Sequence, residues 1–137
     1  MDDYEAIRQL KGRYFRTMDT KDWDGMRQVF TDDLVTDNTA SPGGTVVEGA
    51  DVFMAFLREV LGPVTTVHHG HTPEITITSP TTATGIWAME DMLRWPDGSE
   101  IHAYGHYHET YEKVDGDWRI KSLTLTRLRN DYTPAPS

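Results

Sequence analysis

The chain has 137 residues, a length that predicts one domain with a single hydrophobic core. The formal net charge is -9, from 13 basic and 22 acidic residues, so we expect no nucleic-acid partner. The absence of cysteine excludes disulfides, thiolate metal sites and thiol nucleophiles, and it favours a reducing, cytoplasmic location. From the acidic start of the sequence we expect no signal peptide, and no apolar run is long enough to span a bilayer, so we expect no membrane partner either.

The first half of the chain has helical periodicity. Apolar residues at three-and-four spacing predict helices over residues 3–18, 23–30 and 50–61, the last ended by a Gly-Pro pair. Between the second and third helices, the sequence TDDLVTDN predicts a short strand and a turn.

From Val64 onward the period changes to two, which is typical of strands. Turn sequences separate four predicted strands, at residues 65–78, 82–95, 99–113 and 118–130. Helices followed by a meander predict an α+β domain in which a curved sheet wraps around the helices. We expect this single domain to occupy residues 1–131 and residues 132–137 to form a flexible tail.

Asp91 lies in the middle of an apolar strand face. Strand alternation places it on the same side as Trp87, Met89, Leu93 and Trp95. Because a buried carboxylate without a partner is strongly unfavourable, Asp91 needs a compensating group. Two interpretations stay open: a structural ion pair or hydroxyl network, or a carboxylate that orients a histidine in a cavity.

Three histidines precede the turn before this strand. In a regular strand His68 would share a face with Gly70, whereas His69 and His71 would share the other face with Ile75. Parity alone therefore does not choose among them. A bulge at the HHG sequence could reset the register.

Three further polar residues fall on predicted inner faces or near them. Tyr14 lies on the apolar stripe of the first helix, and its hydroxyl needs a partner if buried. Asp19 near the end of that helix is either a simple helix-end residue or a group pointing into the enclosed space. Arg127 shares strand parity with Leu123 and Leu125, so it could pair with an inward acid or hold a polar end of a ligand.

His106, His108 and Glu112 have the alternation of a metal-binding cupin strand. However, the glycines expected around such a motif are misplaced, and the N-terminal half is helical where a cupin has strands. We therefore expect no bound metal. We also expect no cofactor, because acid/base groups alone suffice for the reaction considered below.

Four segments together carry a family resemblance: AIRQLKGRYFRTMDTKDWD, HHGHTPEITI, TTATGIWAMED and YEKVDGDWRIKSLTLTRLR. They resemble the SnoaL-like branch of the nuclear transport factor 2 (NTF2-like) superfamily, over about Ala6 to Arg127. The resemblance implies a cone-shaped α+β fold. In it, N-terminal helices pack in a strongly curved mixed or antiparallel sheet that encloses a hydrophobic cavity.

Within the superfamily the chain is similar to the bile acid dehydratases and, more weakly, to the scytalone dehydratases. The first resemblance implies catalytic roles for five matching residues, which are Tyr14, Asp19, His68, Asp91 and Arg127. The spacing from His68 to Asp91 is kept without a gap, which favours His68 among the three histidines. The second resemblance supports Asp19 and His68 and adds His102, although Met18 replaces a tyrosine. We expect four residues to contact substrate, namely Met18, Trp87, Met89 and His102.

These resemblances imply elimination of water from a hydrophobic, steroid-like or polycyclic hydroxy-ketone without a cofactor. His68 would be the acid/base, Asp91 or Asp19 would hold its tautomer, and Tyr14 would donate to the developing oxyanion. A ketosteroid-type isomerase, another SnoaL-like enzyme or a non-catalytic ligand-binding domain are the alternatives.

The strand face opposite Asp91 is also apolar, with Ile86, Ala88 and Met92. Such a surface is expected to be covered by another protein surface, so we expect a homo-oligomer. The family resemblance implies a trimer or a dimer.

Overall fold

A computed structural model describes all residues from Met1 to Ser137. Three helices and six strands follow one another in this order: α1 (Asp3–Asp19), α2 (Trp23–Arg27), β1 (Phe30–Asp37), β2 (Val46–Glu48), α3 (Ala50–Leu61), β3 (Thr65–Ser79), β4 (Thr82–Arg94), β5 (Glu100–Val114) and β6 (Asp117–Thr133). No helix has the length and apolarity needed to cross a membrane.

The strands form one mixed sheet in the order β2-β1-β6-β5-β4-β3. Every neighbouring pair is antiparallel except β1 and β6, which run parallel. The sheet is curved rather than closed, and the helices pack against it. The predicted α+β cone is therefore confirmed.

The second helix is shorter than predicted, because it ends at Arg27 and not at Phe30. Asp22 caps it by accepting a hydrogen bond from the Gly25 amide at 3.0 Å. Phe30 is fully buried and begins β1, where it pairs with Ile120 of β6. Strand pairing across the core thus overrides the local helical pattern. The three-residue β2 was not predicted, since it is too short to show a period.

A bulge in β3 explains how His68 and Ile75 can both face the interior, although a regular strand would put them on opposite faces. The pairing of β3 with β4 shifts register between His71 and Glu74, and Thr72 has a positive φ of 43°. Before the bulge His68 is buried while His69 and His71 are exposed. After it, Ile75 faces the core.

A fully buried ion pair joins α1 to the sheet. Lys11 Nζ donates to Glu109 Oε2 at 2.6 Å, and both side chains are 0% exposed. The Tyr111 hydroxyl donates to Glu109 Oε1 at 2.7 Å and itself accepts from Trp87 Nε1 at 2.9 Å. Burial lowers the pKa of Lys11, and the neighbouring Glu109 carboxylate opposes that shift. Each ionised group is therefore held in place by the other.

Strand β6 continues to Thr133 and so takes in two residues of the stretch predicted as a tail. On the outer face of the sheet, Ile86 is half-exposed beside the partly buried Ala88 and Met92. The homo-oligomeric contact expected on this face stays a prediction.

Candidate active site

A cavity of about 290 Å³ lies between the helices and the concave face of the sheet. It is lined by 24 residues, of which 15 are hydrophobic, including Phe53 and Leu57 of α3 and Leu123 of β6. A mostly apolar wall with a few convergent polar groups is typical of small-molecule sites. Of the residues proposed from sequence, the cavity is lined by Tyr14, Met18, His68, Asp91 and Arg127.

His68 and Asp91 are direct cross-strand partners in the antiparallel pair of β3 and β4. Directly opposite residues of a sheet project to the same face, so both side chains enter the cavity. His68 is 7% exposed and Asp91 is 4% exposed, and His68 Nε2 lies 3.9 Å from Asp91 Oδ2. This distance is too long for a direct hydrogen bond.

Asp19 holds the opposite side of the His68 ring. Its Oδ1 lies 2.6 Å from His68 Nδ1, and its Oδ2 accepts from the His68 backbone amide at 2.8 Å. The Thr66 hydroxyl also donates to Oδ1, at 2.9 Å. Because a carboxylate only accepts, Nδ1 carries the hydrogen, and Nε2 of the neutral ring keeps its lone pair on the cavity side. Asp19 does not line the cavity but fixes the tautomer from behind.

Asp91 is the least compensated polar group of the site. Its Oδ1 is buried and makes no hydrogen bond. Burial raises the pKa of Asp91, and the charges of His68, Arg127 and Lys11 offset only part of that shift. A carboxyl with a raised pKa is able to hold a proton and donate it.

Tyr107 is a cavity residue that the sequence reasoning missed. Its ring centroid lies 5.8 Å from that of Tyr14, and both side chains are almost fully buried. Burial holds the pKa of both hydroxyls well above the usual value, so both stay protonated donors. The alternation of β5, which turns Ala103 and Tyr111 inward, was the signal that could have identified Tyr107.

Arg127 also lines the cavity, where it is held by the loop between β1 and β2. Its Nε and Nη2 donate to Ser41 Oγ at 3.0 and 2.7 Å, and the Ser41 hydroxyl donates to Asn38 Oδ1 at 2.8 Å. Ser41 and Asn38 lie in the loop between β1 and β2, a segment whose irregular sequence carries no pattern pointing to a site.

Three of the expected substrate contacts lie outside the cavity lining. Trp87 and Met89 are buried in the core, and the Trp87 indole is held by Tyr111. His102 is exposed on the outer face, because its neighbour Ala103 takes the inward position on β5.

The histidines of β5 also lie away from the site. His108 is exposed on the outer face, where its Nε2 lies 3.1 Å from Thr126 Oγ1. No group of three or more potential metal ligands comes together in the structure.

The raised pKa of Asp91 predicts that Asp91→Asn increases stability while removing an acidic group from the site. A carboxyl whose pKa is higher in the folded than in the unfolded chain stabilises the fold below its ordinary value of 3.8 and loses that contribution as the pH rises. We expect the variant to gain about 1 kcal/mol in unfolding free energy at neutral pH. The gain should disappear towards acidic pH. Chemical denaturation of both proteins across pH measures it.

Asp19→Asn is the matched control, because Asp19 accepts three hydrogen bonds and its replacement is expected to destabilise the fold. A loss of stability for Asp91→Asn at neutral pH would instead show that Asp91 is a compensated structural ion pair.

The curved six-stranded sheet, the helices packed against it and the interior cavity with acid/base side chains define an NTF2-like protein. Residues 1–124 match the family model of the SnoaL-like domain, and the chain belongs to this family.

Three similar proteins illustrate the family. The probable cyclase FGR4 of Gibberella zeae is 27% identical over 138 residues, covering 89% of each protein. A proposed aromatic ring hydroxylase from Novosphingobium aromaticivorans is 24% identical with a TM-score of 0.88, covering 96% of this chain and 93% of that one. A proposed scytalone dehydratase from the same organism is 22% identical with a TM-score of 0.86, covering 98% of this chain and 90% of that one. These similarities support an enzyme that processes small molecules.

Proposed function

We propose that the protein is a cofactor-independent dehydratase that eliminates water from a polycyclic hydroxy-ketone. The observation that supports this proposal is an array of three residues: His68 and Asp91 line the cavity, and Asp19 holds the His68 ring from behind. Asp19 lies 2.6 Å from one imidazole nitrogen, which directs the other nitrogen toward the substrate space. Such an array moves protons by itself and needs no metal or redox group for this step.

In the proposed reaction, His68 Nε2 removes a proton from the carbon next to the substrate carbonyl. The Asp19 carboxylate stabilises the imidazolium that forms. Tyr14, whose pKa is held high by burial, donates a hydrogen bond to the oxygen on which negative charge develops. The electron pair then expels the hydroxyl, which leaves as water after accepting a proton from the imidazolium or from protonated Asp91. In the second case the imidazolium returns its proton to Asp91, so both routes restore neutral His68 and protonated Asp91.

The dimensions of the cavity support a compact substrate. Its volume of about 290 Å³ is at the small end of the usual range for ligand pockets. The apolar lining supplies the driving force for binding, since fused rings bury apolar area without costing many internal rotations. A compact fused-ring ketone therefore fits better than a substrate with a large appended group.

We expect the purified protein to convert at least one member of a panel of hydroxylated fused-ring ketones and enones. Mass spectrometry of the product then distinguishes the alternatives. A dehydratase releases a product lighter by one water, whereas a ketosteroid-type isomerase, which uses the same proton transfer, leaves the mass unchanged. Saturable binding of the panel without any turnover would support a non-catalytic ligand-binding domain.

A further inference from the structure

The cavity contains one permanently charged side chain, and this cation forms no ion pair. Arg127 is the only lysine or arginine among the lining residues. The arginine ion pairs of this protein are formed by Arg8, Arg27, Arg94 and Arg129, all with acids on the surface. The chain has 22 acidic residues, yet none of them contacts the Arg127 guanidinium. Arg127 is partly buried, and a cation withdrawn from water without an anion is costly unless a ligand supplies one.

The protein holds Arg127 in place with neutral groups only. A guanidinium has five N–H donors, and Arg127 gives two of them to the Ser41 hydroxyl. Ser41 is in turn held by Asn38. Other polar residues on β1, on β6 and in the loop between β1 and β2 also line the cavity. They are uncharged as well, and they include Thr36 and Asn130. The guanidinium is therefore positioned without being neutralised, and three N–H donors are left.

Asp91 is the only carboxylate of the cavity lining, and it does not neutralise Arg127. The two side chains influence each other through space but share no hydrogen bond or ion pair. The nearest side chain to Asp91 that carries an imidazole or a basic group within 4 Å is His68, whose Nε2 lies 3.9 Å from Asp91 Oδ2. Arg127 is thus available to a ligand in the same cavity that His68 and Asp91 line.

We propose that the substrate is an anion, a fused-ring compound that carries a carboxylate, and that Arg127 binds this carboxylate. Arginine matches a carboxylate with two parallel N–H···O bonds, which fix orientation as well as supply affinity. The carboxylate would then determine which ring carbon faces His68. This inference rests on the proposed function, because it concerns the substrate of the same cavity.

Two probes of nearly equal shape test the charge requirement: 2-naphthoate and its neutral analogue 2-naphthamide. We expect the wild-type protein to bind naphthoate about 10- to 100-fold more tightly in calorimetric titrations at neutral pH. Arg127→Gln is expected to abolish this preference, mainly by lowering the affinity for naphthoate. Arg129→Gln is the matched control: Arg129 lies two residues away on β6, is exposed and pairs with Asp131, so its replacement is expected to keep the preference.

Arg127→Lys provides a second variant that keeps the charge but loses the planar fork, and it is expected to retain part of the preference. Thermal unfolding of each variant reports whether it is folded. Equal affinities of the wild-type protein for the two probes, no saturable naphthoate binding, or an undiminished preference in Arg127→Gln would each overturn the inference.

The inference and the proposed dehydratase activity fail in different ways. His68→Gln is expected to keep the preference for naphthoate, because His68 is not part of the anion site. An intact preference for naphthoate without any turnover of hydroxy-ketones would contradict the proposed dehydratase activity alone. Turnover of neutral hydroxy-ketones without a preference for naphthoate would contradict the proposed anion site alone.

Discussion

Replacing His68 by glutamine is expected to reduce the turnover number about 100- to 10,000-fold, the contribution of a positioned general base. Glutamine has an amide that can still reach Asp19, but it has no nitrogen that accepts a proton near neutral pH. His68 is also the residue at which the three elements of the site meet, through Asp19 of α1, Asp91 of β4 and its own position on β3. Steady-state kinetics on the substrate found in the panel measures the effect.

His69→Gln is the matched control, because His69 is the next residue of the same strand and is exposed on the outer face. We expect it to leave turnover unchanged. Both variants should unfold at temperatures close to that of the wild-type protein, since neither change opens a cavity in the core. Wild-type turnover in His68→Gln would exclude this histidine from the chemistry, and equal losses in both variants would indicate a general effect on the fold.

Replacing Lys11 by methionine is expected to destabilise the protein by about 3 to 5 kcal/mol, which is the cost of removing one partner of a buried ion pair. The substitution leaves the Glu109 carboxylate in the core with only the Tyr111 hydroxyl as a partner. It also removes the ammonium that lies 3.8 Å and 3.6 Å from the ring centroids of Tyr14 and Tyr107. Denaturant titration measures the loss as a lower transition midpoint.

The double variant Lys11→Met/Glu109→Gln is expected to recover most of this loss, because it removes the uncompensated charge while the glutamine oxygen still accepts from Tyr111. Lys121→Met is the surface control: its partners Asp33 and Glu112 are solvent-accessible, so we expect a change of less than about 1 kcal/mol. A double variant as unstable as Lys11→Met alone would show that the lysine stem, and not the charge, stabilises the core.

The regular elements were predictable because their periodicity spans many residues. The long strands β3 to β6 agree with their predicted limits to within a few residues, and α1 and α3 agree similarly. The end of α2 and the short β2 were not predictable, because long-range pairing with β6 and β1 decides them. Similarly, His102 was assigned from a distant resemblance, whereas the alternation of β5 places it on the outer face.

The sequence by itself determined the fold class and the one face on which Asp91 interrupts an apolar strand. Strand alternation did not decide which of the three histidines faces inward, because a single bulged residue inverts the two faces of a strand. Tertiary structure decided the rest: the bulge near Thr72 turns His68 inward, α1 brings Asp19 to its ring, and the loop between β1 and β2 brings Ser41 to Arg127. His68 and Asp91 are 23 positions apart in the sequence, and Ser41 and Arg127 are 86 positions apart. A local sequence pattern carries no information about contacts between residues so widely separated along the chain.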